Sequence, residues 1–443
     1  MKGPESMLDR RTMIKGAGAT LGLGISARSY AQIRGANDRL RVAVVGVNGR
    51  GQAHMSAFTK LPNVAVTHLV DVDSQILAKR AGEFTAKGNP APETVHDYRR
   101  MLESKSIDVV TVATPDHWHA KLAIDAMDAG KHVYLEKPIG MVPAEGEALI
   151  AVQARTKRNL QVGNQQRSSQ ETRQLADLIR AGELGEVYEA QTWYANNRVS
   201  IGHGQEIAPP AHLDWDLWQG PRPRGPYRSN LVPYNWHWFW KYGTGETCNN
   251  AMHELDVARW LMGLTYPKTV SARGARRFYR GDDWEMYDTL ALDLVYADGR
   301  TIRWDGNSCN GIERYGRGRG VLFLGTKGSA IVDRNGFELF DLAGKPIRKV
   351  VAAASSETTG TVGEGALDVY HAGNLVDVIR GRAKALASPI REGHISTTLC
   401  HLGNIAYRTG AVLTLDEASG RPSSPEGMKL WSADYEPGWE VKA

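Results

Sequence analysis

Short apolar runs alternate with stretches of helical periodicity over the first third of the chain. Arg41 to Val45, Val64 to Val70, Ile107 to Ala113, His132 to Leu135 and Leu160 to Gly163 are β-branched or apolar with few polar alternates. That is the pattern of strands buried on both faces. Between them Gln52 to Lys60, Ile76 to Phe84, Asp97 to Leu102, Ala120 to Ala129 and Pro143 to Thr156 read as helices. Such alternation predicts an α/β fold: a parallel sheet with helices on both faces and ligands at the carboxyl ends of its strands. Ser168 to Ala181 is a further helix, and from Val187 the period shortens to two. VSARGARRF from Val270, TLALDLVYADGRTIRWDG with a turn at Ala297-Asp298-Gly299, then VLFLG, SAIVD and FELFDL read as strands. Helices return at Tyr370 to Arg380 and Ile395 to Arg408. Asn196 to Tyr242 is rich in Pro, Gly, Trp and His without periodicity, the mark of a functional loop.

The first strand runs directly into Gly46, Gly49 and Gly51, and a helix follows. Strand, glycine turn and helix aim unpaired N–H groups at a pyrophosphate, and glycine lets the backbone approach it. The spacing is G-x-x-G-x-G, which alone is weak. The second strand ends at Asp71, about 20 residues on, where a carboxylate accepts hydrogen bonds from an adenosine ribose. A carboxylate there repels a 2′-phosphate, so NAD is expected rather than NADP. Thr114, His119 and Lys137 fall at later strand ends, facing the same crevice. Lys137, pinned by Pro138, reads either as an ammonium aimed at a sugar hydroxyl or the nicotinamide, or as a surface lysine paired with Glu136. His117 and His119 lack a carboxylate or Cys cluster at ligand spacing, and no metal is expected.

Composition narrows the class. Hydrophobic residues are 42% and charged residues 23% of the 443, ordinary for a folded protein, and no apolar run is long enough to span a membrane. Asp9-Arg10-Arg11-Thr12-Met13-Ile14-Lys15 resembles a twin-arginine export motif. An apolar Gly/Ala run and a Ser29-Tyr30-Ala31 cleavage site follow it, so residues 1–31 are expected to be a signal peptide and the mature protein periplasmic or otherwise exported. That leader holds most of the formal net charge of +5, and no later basic block suggests a nucleic-acid partner. Cys248, Cys309 and Cys400 imply no disulfide framework. Twelve tryptophans suit aromatic loops that stack on sugars, although buried packing accounts for most of them.

Three segments carry a family resemblance: VAVVGVNGRGQAH, VATPDHWHAKLAIDAMDAGKHVYLEKPIG and GTGETCNNAMHELDVARWL. The chain resembles the glucose–fructose oxidoreductase, inositol dehydrogenase and MocA (Gfo/Idh/MocA) superfamily over 38–410. The resemblance implies a Rossmann domain, here over 38–163, and an α/β domain with a large, mostly antiparallel open sheet over 164–415; residues 416–443 read as an extended tail. It implies a homodimer or homotetramer, and a sugar or polyol substrate at the domain junction. Gly46, Asn48, Gly49, Arg50, Gly51, Asp71, Thr114, Pro115, His119, Glu136 and Lys137 are then expected to hold NAD. Lys137, Arg167, Trp236, His237, Trp238 and His253 are expected to meet the substrate, with Lys241 a further candidate in the aromatic loop. The family's D-x-x-x-H helix reads Asn249 to His253 here, so Lys137, His253 and Asn249 form the expected catalytic group. Asn cannot take a proton, so His253 is expected to be less basic than in an Asp-paired site, with Glu254 or a water compensating. The expected activity is oxidation or reduction of a sugar CH–OH. The alternatives are an NAD-dependent glycoside hydrolase, working by transient oxidation and elimination, and a carbohydrate-binding protein without turnover.

Overall fold

The computed structural model describes residues 39–352 and 365–443. The export segment expected at 1–31 lies outside those residues.

A six-stranded sheet of order β3-β2-β1-β4-β5-β6 is parallel throughout. Its strands are β1 (Leu40–Val45), β2 (Val64–Val70), β3 (Glu93–Val95), β4 (Val109–Val112), β5 (His132–Leu135) and β6 (Leu160–Val162). The helices between them are α1 (Gly51–Thr59), α2 (Ser74–Ala86), α3 (Tyr98–Leu102), α4 (His119–Asp128) and α5 (Pro143–Thr156). Every residue of β4 is buried, as a strand covered on both faces requires. Asp73 caps α2 by accepting from the Gln75 and Ile76 N–H groups at 3.0 Å, which fixes where β2 stops and the helix begins.

After α6 (Gln170–Arg180) the chain builds a nine-stranded sheet of order β14-β13-β12-β11-β7-β10-β9-β8-β15. It comprises β7 (Val187–Ala195), β8 (Thr269–Ala275), β9 (Thr289–Val295), β10 (Thr301–Asn307), β11 (Arg319–Gly325), β12 (Ser329–Asp333), β13 (Gly336–Phe340), β14 (Pro346–Val351) and β15 (Leu413–Thr414). All its pairings are antiparallel except β7 with β10. In β9 every second residue is buried, under Met252, Leu255 and Leu399 among others. These come from α8 (Met252–Met262) and α10 (Ile390–Thr409); α7 (Trp215–Gln219) lies in the long loop.

Two later segments return to the first sheet. Ala372, Leu375 and Val376 of α9 (Ala366–Ile379) join the core beneath β1 and β2. Beyond α11 (Pro425–Lys429), Trp439 packs edge-on against Trp118 at 5.4 Å between centroids. The stretch after Leu415 is therefore packed, not merely extended. The period-2 and β-branched signals report local burial but carry no information about such long-range docking.

Candidate functional site

One cavity of about 820 Å³ runs along the carboxyl ends of β1, β2, β4 and β5 and into the second sheet. That is near the upper end of the roughly 300–1,000 Å³ of ligand clefts. At its glycine turn Gly46 has φ +81°, and a Cβ there would lie 2.6 Å from the Ala113 carbonyl oxygen. A Cβ on Gly51 would lie 2.0 Å from the Gly46 carbonyl oxygen, so Gly51 packs α1 beneath the turn instead of lining the cavity. Gly46, Asn48, Gly49 and Arg50 do line it. Asp71 accepts from the Val47 N–H at 2.9 Å and the Asp73 N–H at 3.0 Å. Burial outweighs those bonds and pushes its carboxyl up to about 6. Thr114 Oγ1 is buried in the same wall with no hydrogen-bond partner. An orphan hydroxyl, a turn with no room for a side chain and a carboxylate at the end of β2 fit a dinucleotide.

Arg50 anchors the glycine turn to two distant segments. Its Nε donates to Glu136 at 2.8 Å, and its other nitrogens bind Asp368 of α9. Burial opposes the charge on Arg50, but Glu136 and Asp368 outweigh it and hold the guanidinium well above its ordinary value. Glu136 also receives His54 at 3.0 Å and Gln165 at 3.0 Å. Despite burial, Arg50 and His54 hold its carboxyl well below the carboxylate range. Glu136 is thus the hub that ties the loop to β5.

Beyond the turn the cavity holds Lys137, Asn249 and His253 together. Lys137 Nζ donates to the Asn249 backbone oxygen at 2.6 Å. Asn249 lies in a π-helical turn, Thr247–Ala251, rather than on a regular helix, and α8 starts just after it. The wider turn redirects a carbonyl at Lys137, so the contact is to backbone and not to the Asn249 side chain. Among the described residues the His253 ring makes no hydrogen bond. Burial first, then Arg334, Lys137, Arg319 and Arg50, depresses His253 well below its ordinary value. His253 is thus weakly basic because it is buried among four cations. Lys137 is itself lowered by burial, while Glu136 and Asp116 pull the other way.

Asp116 is a further site residue that no motif in the sequence marks. It lines the cavity, accepts from Thr244 Oγ1 at 2.5 Å, and is pushed up to about 7 by burial. Its position directly after the β4 strand end was the only available signal. Arg319 and Arg334 also went unrecognised, because the strands that present them lie far along the chain.

The aromatic loop divides in two. Trp236 and His237 line the cavity, their rings stacked 3.6 Å apart, and His237 Nδ1 meets the Tyr234 carbonyl at 2.6 Å. His212, Leu213, Leu217 and Trp218 instead line the part next to Asp71, Val72 and Ile76. The Ser74 N–H donates to the His212 carbonyl at 2.9 Å, and the Asp214 N–H to the Val72 carbonyl at 3.0 Å. A strap from the long aromatic loop thus crosses the end of β2.

Several expected site residues lie elsewhere or are occupied. Trp238 does not line the cavity; it stacks on Trp284 at 4.2 Å and lies 4.7 Å under the Arg198 guanidinium. His119 and Pro115 line the wall, but both His119 ring nitrogens meet backbone carbonyls, of Pro138 at 2.5 Å and Thr114 at 2.9 Å. His119 therefore pins two strand ends together. Lys241 Nζ lies 5.2 Å from the Tyr242 ring and is absent from the lining. The three cysteines are free and buried. Among the described residues no group of three or more His, Cys, Asp or Glu could hold a metal, and no helix is long and apolar enough to cross a membrane.

Arg167 is the clearest correction. It binds Asp256 through two hydrogen bonds of 2.8 Å and Glu392 at 3.3 Å, with only 4% of its side chain exposed. It lies outside the cavity lining. A strand-end arginine serves a ligand or a buried carboxylate, and here two carboxylates from distant helices claim it. Arg167→Ala leaves Asp256 buried without its ion-pair partner, with the Ser396 hydroxyl still donating to it, a loss of about 3–5 kcal/mol. Chemical denaturation should show that loss, while KM for any substrate, measured below the new melting point, should not change.

Comparison with known proteins agrees with this geometry. A model of the Gfo/Idh/MocA oxidoreductase family, NAD-binding Rossmann fold, matches residues 40–164, and a model of its C-terminal domain matches 172–331. The chain is similar in fold to a levoglucosan dehydrogenase solved with NADH, with a TM-score of 0.66 and 18% identity. That match covers 86% of this chain and 100% of the other. An aldose–aldose oxidoreductase from Caulobacter crescentus matches with a TM-score of 0.62 and 21% identity, over 85% of this chain and 100% of the other. Among curated relatives, a glycosyl hydrolase family 109 protein of Shewanella pealeana is 29% identical over 161 residues. The matched stretch is 35% of each chain, so it spans about a third of that relative. With both of its domains matched in order, and with an NAD-binding Rossmann domain at its head, the chain belongs to the Gfo/Idh/MocA oxidoreductase superfamily.

Proposed function

We propose that the protein is an NAD-dependent oxidoreductase acting on a CH–OH group of a sugar, polyol or sugar derivative, exported with its nucleotide tightly held. The observation that carries this reading is the opening of Lys137 and His253 into the same cavity as the glycine turn and Asp71. Bound NAD supplies a hydride acceptor. The Lys137 ammonium, fixed by the Asn249 carbonyl, orients the reacting hydroxyl. His253 is neutral at pH 7, and an uncharged ring nitrogen can accept the hydroxyl proton. Asp116, at about 7, is a second group able to change protonation during turnover. Twin-arginine export, a periplasmic location and a homodimer or homotetramer belong to the same reading. Tyr188 and Val295, exposed on strands of the second sheet, are consistent with such an assembly.

The names of the curated relatives favour one second reading, a glycoside hydrolase that oxidises the sugar transiently and then eliminates the aglycone. Purified protein would be denatured to identify any released nucleotide, then assayed on free sugars and nitrophenyl glycosides. Substrate-dependent NADH absorbance, or interconversion of two sugars without added cofactor, supports the oxidoreductase. Release of nitrophenol without net NADH supports the hydrolase. Bound nucleotide with no turnover on a broad sugar panel leaves a binding protein.

Asp71 gives the nucleotide site a pH dependence. The ionised carboxylate accepts ribose hydroxyls, and protonation below about 6 removes that capacity. Reconstitution of stripped protein with NAD should be flat above pH 6 and weaken by up to about tenfold per unit below it. Asp71→Asn should bind weakly at every pH. A wild-type affinity that does not change between pH 7 and 5 would contradict the role.

A further inference from the structure

The substrate end of the cavity is built from cations. Lys137 comes from the end of β5, Arg198 follows β7, Arg319 opens β11, and Arg334 sits in the turn between β12 and β13. All four line the cavity alongside His253. The carboxylates that balance them stand behind them and are absent from the lining. Glu246 takes Arg198 through contacts of 2.9 and 3.3 Å, and Glu254 takes Arg319 at 2.7 and 3.1 Å. Of the acids that do line this end, Glu136 is committed to Arg50, His54 and Gln165, and Asp116 is pushed towards its neutral form.

The positive charges act on one another as well. Arg334 is lowered to about 9 by burial and by Arg319; Glu254 and Asp368 oppose that shift without cancelling it. Burying like charges side by side raises their cost steeply, and a bound anion removes it. Guanidinium groups on an enclosed wall recognise carboxylate and phosphate oxygens through paired, charge-assisted hydrogen bonds. A neutral hexose offers this wall only hydroxyls.

We propose that the substrate is an acidic sugar, its carboxylate or phosphate oxygens seated on Arg319 and Arg334 while Lys137 and His253 take the reacting hydroxyl. This rests on the sugar-oxidoreductase reading and names its substrate class. An anion there also offsets the cations that hold His253 down, so the acidic substrate makes its own base more basic. A neutral sugar leaves His253 as it is.

Binding is the direct test, because it does not require turnover. The full, nucleotide-loaded protein would be titrated calorimetrically with D-glucuronate, D-gluconate, D-glucose 6-phosphate, D-glucose and myo-inositol. At least one acidic sugar is expected to bind tenfold or more tightly than D-glucose, with glucuronate and glucose 6-phosphate separating the two sources of anion. In Arg334→Gln the preference should fall below about threefold, and Arg334→Lys, which keeps the charge but not the paired hydrogen bonds, should restore only part of it. Raising salt from about 50 to 500 mM should weaken the acidic sugar and leave glucose unchanged, a measurement that stands even if the Gln variant does not fold. Equal binding of D-glucose and every acidic sugar, or a preference that survives both Arg334→Gln and high salt, overturns the proposal. Selective acidic-sugar binding without any hydride or aglycone chemistry would sustain this inference and sink the oxidoreductase reading instead.

Discussion

Replacing Lys137 with Met is expected to cut turnover about a thousandfold, close to 4 kcal/mol of transition-state stabilisation, while the protein keeps its fold and its nucleotide. The geometry separates these outcomes. The Lys137 ammonium makes one short bond, to the Asn249 carbonyl, and otherwise faces the cavity. Burial lowers its pKa, so losing the charge relieves a desolvation cost even as one acceptor loses its donor. Glu136 keeps Arg50, His54 and Gln165 without it. The glycine turn should therefore stand, and the melting temperature should move by only a few degrees. Turnover, melting temperature and nucleotide released on denaturation, measured on one preparation, decide the matter. A variant with wild-type rate would remove Lys137 from the chemistry. A variant without nucleotide would make it a cofactor ligand first.

How much of this was legible in the sequence follows from how locally each feature is determined. The β1 turn, Asp71 and Lys137 sit where a strand buried on both faces stops, and the period of the apolar residues marks that point directly. The wall of Arg198, Arg319 and Arg334 comes from three strand ends of a sheet whose order departs from chain order. No spacing in the sequence announces that they meet. Arg167 shows the opposite failure. Its position after β6 resembles that of a ligand-facing residue, but its partners Asp256 and Glu392 lie 89 and 225 residues away. The pairing of Arg50 with Asp368, 318 residues apart, is equally invisible. The π-turn at Asn249 is legible only in hindsight: the helical period continues through it, while the backbone contact it offers Lys137 depends on one residue of extra winding.

The strap also changes what the aromatic loop is for. Of its tryptophans, Trp236 and Trp238 are the ones expected to meet a sugar, and Trp236 does line the cavity. Trp215 and Trp218 instead stack on each other at 4.9 Å, and the Trp218 carbonyl accepts from Trp118 Nε1 at 2.9 Å. That carbonyl also meets His117 Nε2 at 2.8 Å. The stretch from His212 to Trp218 is thereby sewn to the first sheet on either side of the crevice, at Val72 and Ser74 on one flank and at His117 and Trp118 on the other. A dinucleotide with its ribose at Asp71 would lie beneath this strap, and its departure would require those bonds to open. Slow release is the expected result, with NAD staying bound through desalting and lost only on denaturation. Such retention would suit the proposed export away from any nucleotide pool.

Asp214→Pro tests the strap at its narrowest point. Asp214 has φ −75°, which proline adopts without strain, so the backbone path can survive. The substitution deletes the N–H that reaches the Val72 carbonyl and the side chain that caps Leu217 N–H at 2.9 Å. It also removes the 3.3 Å contact with His96. At about 1 kcal/mol for a hydrogen bond and about 1 kcal/mol for a cap, opening becomes easier by roughly 2–3 kcal/mol. Release should then accelerate about 30- to 160-fold. Dilution of the NADH-loaded protein into excess NAD, followed by nucleotide fluorescence, measures both rates directly. Wild-type protein that empties within seconds, or a variant that releases NADH at the wild-type rate, would show that the strap does not hold the nucleotide.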